Sequence, residues 1–301
     1  MESHDVIIVG GGPTGLSAVR RLADLGIRDV VVLEREAEAG GIPRHCGHLG
    51  FGWQSHRRLW AGPRFAAELR KSTNGLDIRT ATTVLELHKD GHLRIQGNSG
   101  LSEMKAKHVL IATGTRETPR SARIVGGSRP QGVMNTGALQ QHVYLHGNRP
   151  FNRPVIIGSE LVSFSALLTC RHLNIKPVAM LEENPRISAS RPGDLIARFA
   201  FGVPVRTSTK LVSIEGRRNV EAVEIEYRGK REHISCDGVI FTGQFRPETA
   251  LMPAGSFLEN LGAEGIDKFS AAGNVLAPLK TSGECWRQGV LAAQDIARRL
   301  A

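Results

Sequence analysis

Residues 5–15 read Asp-Val-Ile-Ile-Val-Gly-Gly-Gly-Pro-Thr-Gly, and this stretch decides the fold. The apolar run predicts a buried strand that turns sharply into a helix. Gly10, Gly12 and Gly15 have the GxGxxG spacing of a dinucleotide-binding turn: the first glycine permits the turn, the second leaves room for a pyrophosphate, and the third lets helix and strand pack closely. The N–H groups at the start of the helix then face the phosphates, where the helix dipole favours negative charge.

A second apolar strand follows at residues 30–33 (Val-Val-Val-Leu) and ends in Glu34. A ribose-binding carboxylate is expected roughly 20 residues after the glycines of such a turn, and Glu34 lies at that place. The glycine spacing alone is a weak signal, since glycine-rich turns also occur without a ligand. Together with Glu34 it predicts a strand–helix–strand unit that binds a dinucleotide.

The composition is that of a globular protein with room for two domains. Of the 301 residues, 41% are hydrophobic and 23% are charged, which argues against disorder. The apolar runs are strand-length, so we expect no membrane span, and the first strand begins too early to leave room for a signal peptide. Cys46, Cys170, Cys236 and Cys285 are scattered, without metal-ligand spacing. We therefore expect a cytoplasmic protein with reduced thiols and no metal site.

The formal net charge is +10, and two interpretations of it remain open. The basic residues can form a solvated surface, or they can form a positive face that steers an acidic protein or an anionic ligand. No Lys/Arg-rich block or nucleic-acid motif is present, so no nucleic-acid partner is expected. The basic residues come as pairs spread through the chain: Arg20-Arg21, Arg57-Arg58, Arg217-Arg218 and Arg298-Arg299.

Residues 39–53 are rich in glycine, proline and histidine, which predicts a loop without regular structure. A long loop directly after a dinucleotide-binding unit is a place where function concentrates. The elements expected next along the chain are a helix over 61–72 and strands near 77–88, 92–96 and 106–111.

The strand at 107–112 ends in Thr113 and Gly114, and at this point a resemblance to a known family emerges. Its motifs recur in the same order in flavoproteins with two dinucleotide-binding domains, the thioredoxin-reductase and glutathione-reductase superfamily. Residues 240–243 resemble the superfamily's second ATG-like strand end, and residues 271–274 resemble its closing AxGD motif. The motifs that carry the resemblance are the 10–15 turn, Glu34, Gly40-Gly41, 112–114, 240–243 and 271–274.

The resemblance implies an α/β fold with two Rossmann-like, three-layer ββα domains, the second inserted in the first. It assigns 1–120 and 238–301 to an FAD-binding domain and 121–237 to an NAD(P)-binding-like domain. FAD is the implied cofactor. The residues implied to bind it are Gly10, Gly12, Pro13, Thr14, Gly15, Glu34, Arg35, Gly41, Arg44, Val84, Ala112, Thr113, Gly114, Gly273, Asn274, Thr281 and Ser282.

Two of these positions concern the C-terminal part of the flavin site. Asn274 replaces the aspartate of the closing motif, and its amide offers both a donor and an acceptor, so FAD need not be lost. The final helix is expected to begin near Thr281, to point its N-terminus at the N1–C2=O edge of the flavin, and to stabilise negative charge there. Trp286, Val290 and Ala293 are expected along one face of this helix, with Ala297.

The second nucleotide unit begins near residue 153 and departs from the superfamily's pattern. Gly158 remains, but Glu160 stands in place of the second glycine and Ser163 in place of the third. A carboxylate there fills space and repels a pyrophosphate, since like charges ~4 Å apart cost about 1 kcal/mol even in water. We expect this unit not to bind NAD(P)H; a divergent but working site stays open because Ser163 is small.

The loop that follows Gly40-Gly41 carries a redox dithiol, or its replacement, in the superfamily. Here it has Cys46 without a second cysteine nearby, which disfavours disulfide reductase chemistry. His45 and Cys46 are the candidate catalytic residues. For Cys46, a sulfenate-forming thiolate favoured by basic neighbours and a buried packing role stay open. For His45, the alternatives are a proton carrier and a structural hydrogen bond, and Arg44 is a candidate charge partner of the cofactor.

The 40–52 loop and the 273–286 stretch resemble one branch in particular, the FAD subunits of heteromeric opine, D-hydroxyproline and sarcosine-type dehydrogenases. This implies an amino-acid-like substrate and electron transfer to partner subunits, a second flavin subunit or a small iron–sulfur subunit. No cysteine-rich iron–sulfur region is present, so such a centre is expected in a partner. Two alternatives stay open: a self-contained NAD(P)H-dependent oxidoreductase without a dithiol, and a non-catalytic FAD scaffold.

Overall fold

A computed structural model describes residues 1–189, 196–252 and 268–301. The chain forms two compact units, and the second is inserted in the first. Unit 1 comprises Met1–Arg44, Leu49–Arg116 and Arg246–Ala301, and unit 2 comprises His45–His48 and Glu117–Phe245. The predicted α/β class with an inserted second dinucleotide-binding domain is confirmed.

The α-helices of the described residues are α1 (Pro13–Asp24), α2 (Trp53–His56), α3 (Gly62–Ser72), α4 (Thr136–Tyr144), α5 (Leu161–His172) and α6 (Ser282–Leu300). Strands are β1 (Glu2–Val9), β2 (Val30–Leu33), β3 (Leu49–Phe51), β4 (Trp60–Ala61), β5 (Asp77–Arg79), β6 (Thr83–Leu87), β7 (His92–Gly97), β8 (Gly100–Ile111), β9 (Thr115–Glu117), β10 (Gly126–Gly127), β11 (Val133–Asn135), β12 (Pro154–Ile157), β13 (Ala179–Leu181), β14 (Val205–Arg206), β15 (Thr209–Glu215), β16 (Ala222–Tyr227), β17 (Lys230–Ser235), β18 (Gly238–Phe241), β19 (Phe245–Pro247) and β20 (Phe269–Ala271).

Unit 1 is built on a sheet of order β5-β2-β1-β8-β7-β6, with β20 also paired to β8. β5, β2, β1, β8 and β20 are parallel, while β7 runs antiparallel to β8 and β6. One face of β1 packs with Ala18 of α1 and Ala293 of α6, and the other packs with Leu93 of β7. Because both faces of β2 and of residues 6–9 of β1 are covered, these segments are continuous apolar runs rather than alternating ones.

Unit 2 has three layers. Its central sheet is parallel, of order β11-β18-β12-β13-β14. One face packs against α4 and α5 through residues such as Leu139 and Ala166. The other face packs against the sheet of order β10-β15-β16-β17 through Ile214 and Val223. The sheet–sheet–helix layering is the ββα arrangement expected from the resemblance.

The structural boundaries differ from the sequence-based ones at 120/121 and 237/238. Unit 2 begins at Glu117 and ends at Phe245, and it also contains His45–His48. The chain passes from one unit to the other within the short strands β9 and β19, which pair with each other. The two strands are far apart in sequence, and the local composition does not indicate that they pair. Distant contacts of this kind also assign His45–His48 to unit 2.

Residues 39–53 are not wholly a loop, which corrects the prediction from composition. Leu49–Phe51 pairs antiparallel with Trp60–Ala61, and α2 lies between the two strands. The buried residues of α6 are Gly283, Cys285, Gly289, Ala293 and Ile296, so the buried face is shifted from the predicted one. The predicted FAD-binding segment 238–301 lies in part outside the described residues, and β20 and α6 belong to its described part.

Candidate functional site

The glycine turn after β1 allows very close backbone contacts in unit 1. Gly10 has a φ of +110°, and a Cβ there would collide with the main-chain carbonyl of Ala112. Gly10 N donates to Leu33 O (2.8 Å), and Ala112 N donates to Val9 O (2.8 Å). At Gly15 a Cβ would overlap the carbonyl of Gly10. Strand ends and helix therefore meet at a distance that larger residues would prevent.

Gly12 leaves the start of α1 open. It is the N-cap residue of the helix, without a side-chain cap, and Pro13 follows as the first helical residue. A Cβ at Gly12 would meet only the Cα of Gly41, at 3.9 Å. The first N–H groups of a helix have no intrahelical partner, so a phosphate group can approach them here. The open space and the free donors fit the pyrophosphate of FAD.

Glu34 lies beside this turn, buried at the end of β2. Its Oε2 accepts a hydrogen bond from Gly11 N (2.8 Å), and its Oε1 accepts one from Glu36 N (2.9 Å). Each carboxylate oxygen has a second acceptor position. Glu34 therefore holds the turn in place and keeps acceptor capacity for ribose hydroxyls.

The closing segment meets the same turn. Gly273 has a φ of +83°, and a Cβ there would press against the side chain of Thr14. Thr14 Oγ1 in turn donates to Cys285 O (3.1 Å). Asn274 Oδ1 accepts from Lys280 N (2.9 Å), and its Nδ2 donates to Lys280 O (3.2 Å). A carboxylate is unable to donate the second bond, so the amide of Asn274 fixes the approach to α6 in a way that an aspartate would not.

The N-terminus of α6 is held by a capping box. Thr281 Oγ1 accepts from Glu284 N (3.2 Å), and Glu284 Oε2 accepts from Thr281 N (2.7 Å). Gln54 of α2 lies over this end, with its Oε1 2.5 Å from Thr281 Oγ1. Gln54 was not predicted from the sequence, since no local pattern indicates that α2 reaches α6. Gln288 was not predicted either, and its Oε1 accepts from Gly273 N (2.8 Å).

Other predicted cofactor residues have varied surroundings. Arg44 lies near two carboxylates, Glu36 (3.6 Å) and Glu38 (3.8 Å). Arg35 is exposed. Val84 is buried in the core of unit 1, and Thr113 Oγ1 donates to Glu248 O (2.8 Å). The structure thus brings together the glycine turn, Glu34, Gly41, Gly273 and the start of α6, while Val84 serves the core.

Cys46 is a buried, protonated thiol of unit 2. Its Sγ donates to Gln140 Oε1 (3.3 Å). Burial, together with the nearby carboxyl of Glu117, raises the pKa of Cys46 to about 12. Of the two roles left open for Cys46, this raised pKa favours the buried packing role over a reactive thiolate, because the desolvation of a buried charge dominates. His45 is also buried, and its proposed proton transfer stays a prediction.

The second glycine turn is occupied by the chain itself. Gly158 follows β12 with a φ of +115°, and Glu160 is the N-cap residue of α5, the position that Gly12 has on α1. The Oε2 of Glu160 lies 2.8 Å from Thr242 Oγ1 and 3.2 Å from Ser163 Oγ. A Cβ at Gly243 would lie against the Glu160 carboxylate. The space that is open beside Gly12 is filled here.

Glu182 ends β13 as Glu34 ends β2, but its acceptor positions are taken. Its Oε1 accepts from both N (2.9 Å) and Nδ2 (2.8 Å) of Asn184. Its Oε2 accepts from the hydroxyls of Ser159 and Ser188, the latter at 3.2 Å. Four donors saturate this carboxylate, so little acceptor capacity remains for a ribose.

Glu117 is a further buried carboxyl, and it was not predicted from the sequence. Its Oε2 accepts from Gly137 N (2.7 Å) and its Oε1 from Gly243 N (3.2 Å). Burial raises the pKa of Glu117 to about 7, although these bonds and Arg123 lower it. Arg123 donates to the carbonyls of Thr242 (3.0 Å) and Gly243 (2.9 Å). No sequence motif marks this cluster, because it joins three separate parts of unit 2.

Metal-ligand clusters and membrane-length helices are both absent from the described part of the chain. Within residues 1–189, 196–252 and 268–301, no three or more His, Cys, Asp or Glu side chains are grouped to hold a metal ion. None of the helices in the same ranges combines the length and the apolar character that a bilayer crossing needs.

Comparison with known proteins decides the family. The profile of the pyridine nucleotide-disulphide oxidoreductases matches residues 4–274. The chain belongs to the pyridine nucleotide-disulphide oxidoreductase family. It is therefore an oxidoreductase of a family whose cofactor is FAD, as the sequence predicts.

Individual relatives are distant. The alpha subunit of sarcosine oxidase from Rhizobium meliloti is 23% identical over 81% of this chain and 24% of its own length. An opine oxidase subunit of the same organism is 24% identical over 60% of this chain and 39% of its own length. The chain thus spans about a quarter to two fifths of these curated relatives. The thioredoxin reductase of T. acidophilum has the same fold, with a TM-score of 0.77 and 21% identity over 99% of both chains.

Proposed function

We propose that the chain is the FAD-binding subunit of a heteromeric amino- or imino-acid dehydrogenase that passes electrons to partner subunits. The substrate class is an N-substituted or cyclic amino acid, as in opine, D-hydroxyproline or sarcosine oxidation. The partners are a second flavin subunit, a small iron–sulfur subunit or both, and the complex is cytoplasmic.

The observation that carries the proposal is the difference between the two glycine turns. Beside Gly12 the start of α1 is open, while at the equivalent place in unit 2 the Glu160 side chain fills the space. A flavoprotein that takes electrons from NAD(P)H needs room at its second turn. One that takes electrons directly from a substrate does not, and a buried Cys46 with a raised pKa gives no support to thiol chemistry instead.

The relatives support the substrate class by their names alone. Two of them are named as subunits of a sarcosine oxidase and of an opine oxidase. A structural neighbour is the L-proline dehydrogenase from P. horikoshii, with a TM-score of 0.73 and 17% identity over 98% of this chain and 55% of that chain. The names of the two oxidase subunits support amine oxidation, while dihydrolipoyl dehydrogenases and thioredoxin reductases are among the other matches.

Unit 1 supplies the residues that hold the cofactor. The N–H groups after Gly12 bind the pyrophosphate, and Glu34 accepts from the ribose hydroxyls. Thr281 and Ser282 begin α6, whose positive dipole end stabilises negative charge at the flavin. FAD bound there supplies the two-electron oxidation of an amine and the return of those electrons to an acceptor.

An anaerobic titration tests the proposal. NADH or NADPH should leave the flavin spectrum of the purified chain unchanged. The complex isolated from the native source should show flavin and iron–sulfur bands, and one of sarcosine, D-hydroxyproline or an opine should bleach its flavin. A single yellow chain that NADH or NADPH bleaches would instead be a self-contained reductase. A complex in which no amine bleaches this flavin would favour the scaffold role.

A further inference from the structure

The side chain of Glu160 lies among groups that would otherwise bind an anion. It stands at the N-cap of α5 but makes no side-chain cap on its own helix. Its carboxylate instead contacts the hydroxyl of Thr242, which follows β18, and the hydroxyl of Ser163 in the first turn of α5. A Cβ at either Gly158 or Gly243 would touch this carboxylate. The Glu160 carboxylate thus lies between the glycine turn and the neighbouring strand end.

The charges around this carboxylate favour an anion. Arg123 interacts electrostatically with both Glu160 and Glu117. The start of α5 adds the partial positive charge of a helix N-terminus. Of the two carboxyls near Arg123, Glu117 is held by the backbone N–H groups of Gly137 and Gly243. The Glu160 carboxylate, by contrast, lies against Gly158 and fills the glycine turn of unit 2.

We propose that Glu160 is a built-in substitute for the pyrophosphate of a dinucleotide, which both closes the second nucleotide site and stabilises unit 2 in its place. This inference rests on the proposed function, because a chain that oxidises its own substrate does not need NAD(P)H at the second turn. The further point is that the glycine turn of unit 2 keeps an arrangement that attracts an anion, and that the carboxylate of Glu160 takes the place of that anion.

Substitution of Glu160 separates its charge from its volume. Glu160→Gln keeps the volume and loses the charge, while Glu160→Gly loses both and restores the glycine spacing of the turn. Glu183→Gly is the matched control, since Glu183 is exposed just after β13. Thermal unfolding of the FAD-loaded chain is measured with and without inorganic pyrophosphate, and ADP-ribose binding is measured by calorimetry. Neither readout requires turnover.

The expected pattern differs for each protein. Both Glu160 variants should unfold at a lower temperature than the wild type. Pyrophosphate should raise the Tm of Glu160→Gly by about 2–8 °C, and ADP-ribose should bind to it. The wild type, Glu160→Gln and Glu183→Gly should show no such response, which also separates specific binding from the general effect of a multivalent salt.

Three results would overturn the proposal. One is pyrophosphate or ADP-ribose binding by the wild type, which would mean that the turn is open. Another is a Glu160→Gly variant that folds but does not respond to pyrophosphate. The third is a Glu160→Gln variant as stable as the wild type, which would show that the negative charge of Glu160 does not stabilise unit 2. This measurement tests the proposal even where Glu160→Gly does not fold. Failure of the proposed function would be seen in a different measurement, the anaerobic titration, where NADH or NADPH instead of an amine would bleach the flavin.

Discussion

At the scale of single residues, the side chain at a helix N-cap decides whether a phosphate has room to bind. Gly12 and Glu160 hold the same position on two similar helices, α1 and α5. The glycine leaves the space beside the helix start free, while the glutamate side chain fills that space. The same backbone arrangement therefore gives one turn open to a cofactor and one closed turn.

The first prediction concerns Gly12. Its φ of −80° is accessible to any residue, so Gly12→Ala should fold, but its Cβ projects toward the pyrophosphate. We expect a loss of FAD content of about 10-fold or more, since one lost or obstructed phosphate contact is worth about 1.5–3 kcal/mol. Flavin absorbance per chain measures this. Gly97→Ala, with no atom nearer than 3.7 Å to the added Cβ, should keep its flavin; equal flavin in both variants would place the cofactor elsewhere.

The second prediction concerns the pH dependence of stability. The folded-state pKa of Glu117, about 7, lies above its usual value of 4.5, so the folded chain holds this proton more tightly than the unfolded chain does. The free energy of unfolding should therefore fall by about 3 kcal/mol between about pH 4.5 and pH 7 on account of this group. Above pH 7 this contribution should be constant.

Urea unfolding at several pH values measures this contribution. The difference in unfolding free energy between the wild type and Glu117→Gln isolates it from other titrating groups. Glu226→Gln, on an exposed part of β16, is the control and should follow the wild type. A Glu117→Gln variant with the same pH profile as the wild type would show that the carboxyl is not held protonated in the folded state.

At the scale of elements, α1 and α6 approach each other closely because small residues face each other. A Cβ at Gly289 would collide with Thr14 O and Ser17 Oγ. Ser17 Oγ also lies 2.8 Å from Trp286 O. Small residues thus allow a close approach of the two helices that border the cofactor space. Short-range patterning predicts both helices, but not this contact between opposite ends of the chain.

The third prediction tests that contact. Gly289→Ala should lower the free energy of unfolding of unit 1 by about 1–3 kcal/mol, because the added methyl group forces the helices apart. It should also weaken FAD binding, since the start of α6 moves away from the glycine turn. Chemical denaturation and flavin content are the measurements. Leu291→Ala, an exposed position on the same helix, should change neither, and an unchanged Gly289→Ala would argue against the close packing.

At the scale of the whole molecule, two similar nucleotide-binding folds have divergent sites. Unit 1 keeps the open turn, and unit 2 keeps the layers but fills the turn. All four cysteines are free thiols, and each is buried within one of the two units. Burial raises the pKa of each of them: Cys46, Cys170, Cys236 and Cys285.

The fourth prediction follows for the thiols. In the native chain an aromatic disulfide reagent should react slowly with all four cysteines, because each is a buried thiol and not a thiolate. In guanidinium chloride all four should react rapidly, and the absorbance of the released thiolate counts them. A Cys46→Ser variant identifies any fast-reacting group. Rapid native labelling that Cys46→Ser removes would restore the case for thiol chemistry at Cys46.

The sequence by itself determined the two nucleotide-binding folds, the family, FAD and the departure from the glycine pattern at Glu160. These follow from short-range glycine spacing and from acids at strand ends, which a linear pattern records. Only the tertiary structure decided that Cys46 is protonated, that Glu182 is saturated, that Glu117 is buried, and that Gln54 and Gln288 reach the start of α6. Burial and saturation depend on groups from distant parts of the chain, and desolvation outweighs the charges of sequence neighbours. For the same reason, eleven residues were enough to predict the glycine turn of unit 1. That the Glu160 side chain fills the turn of unit 2 is seen only in the folded unit, because its contacts with Thr242 and Gly243 come from a distant part of the chain.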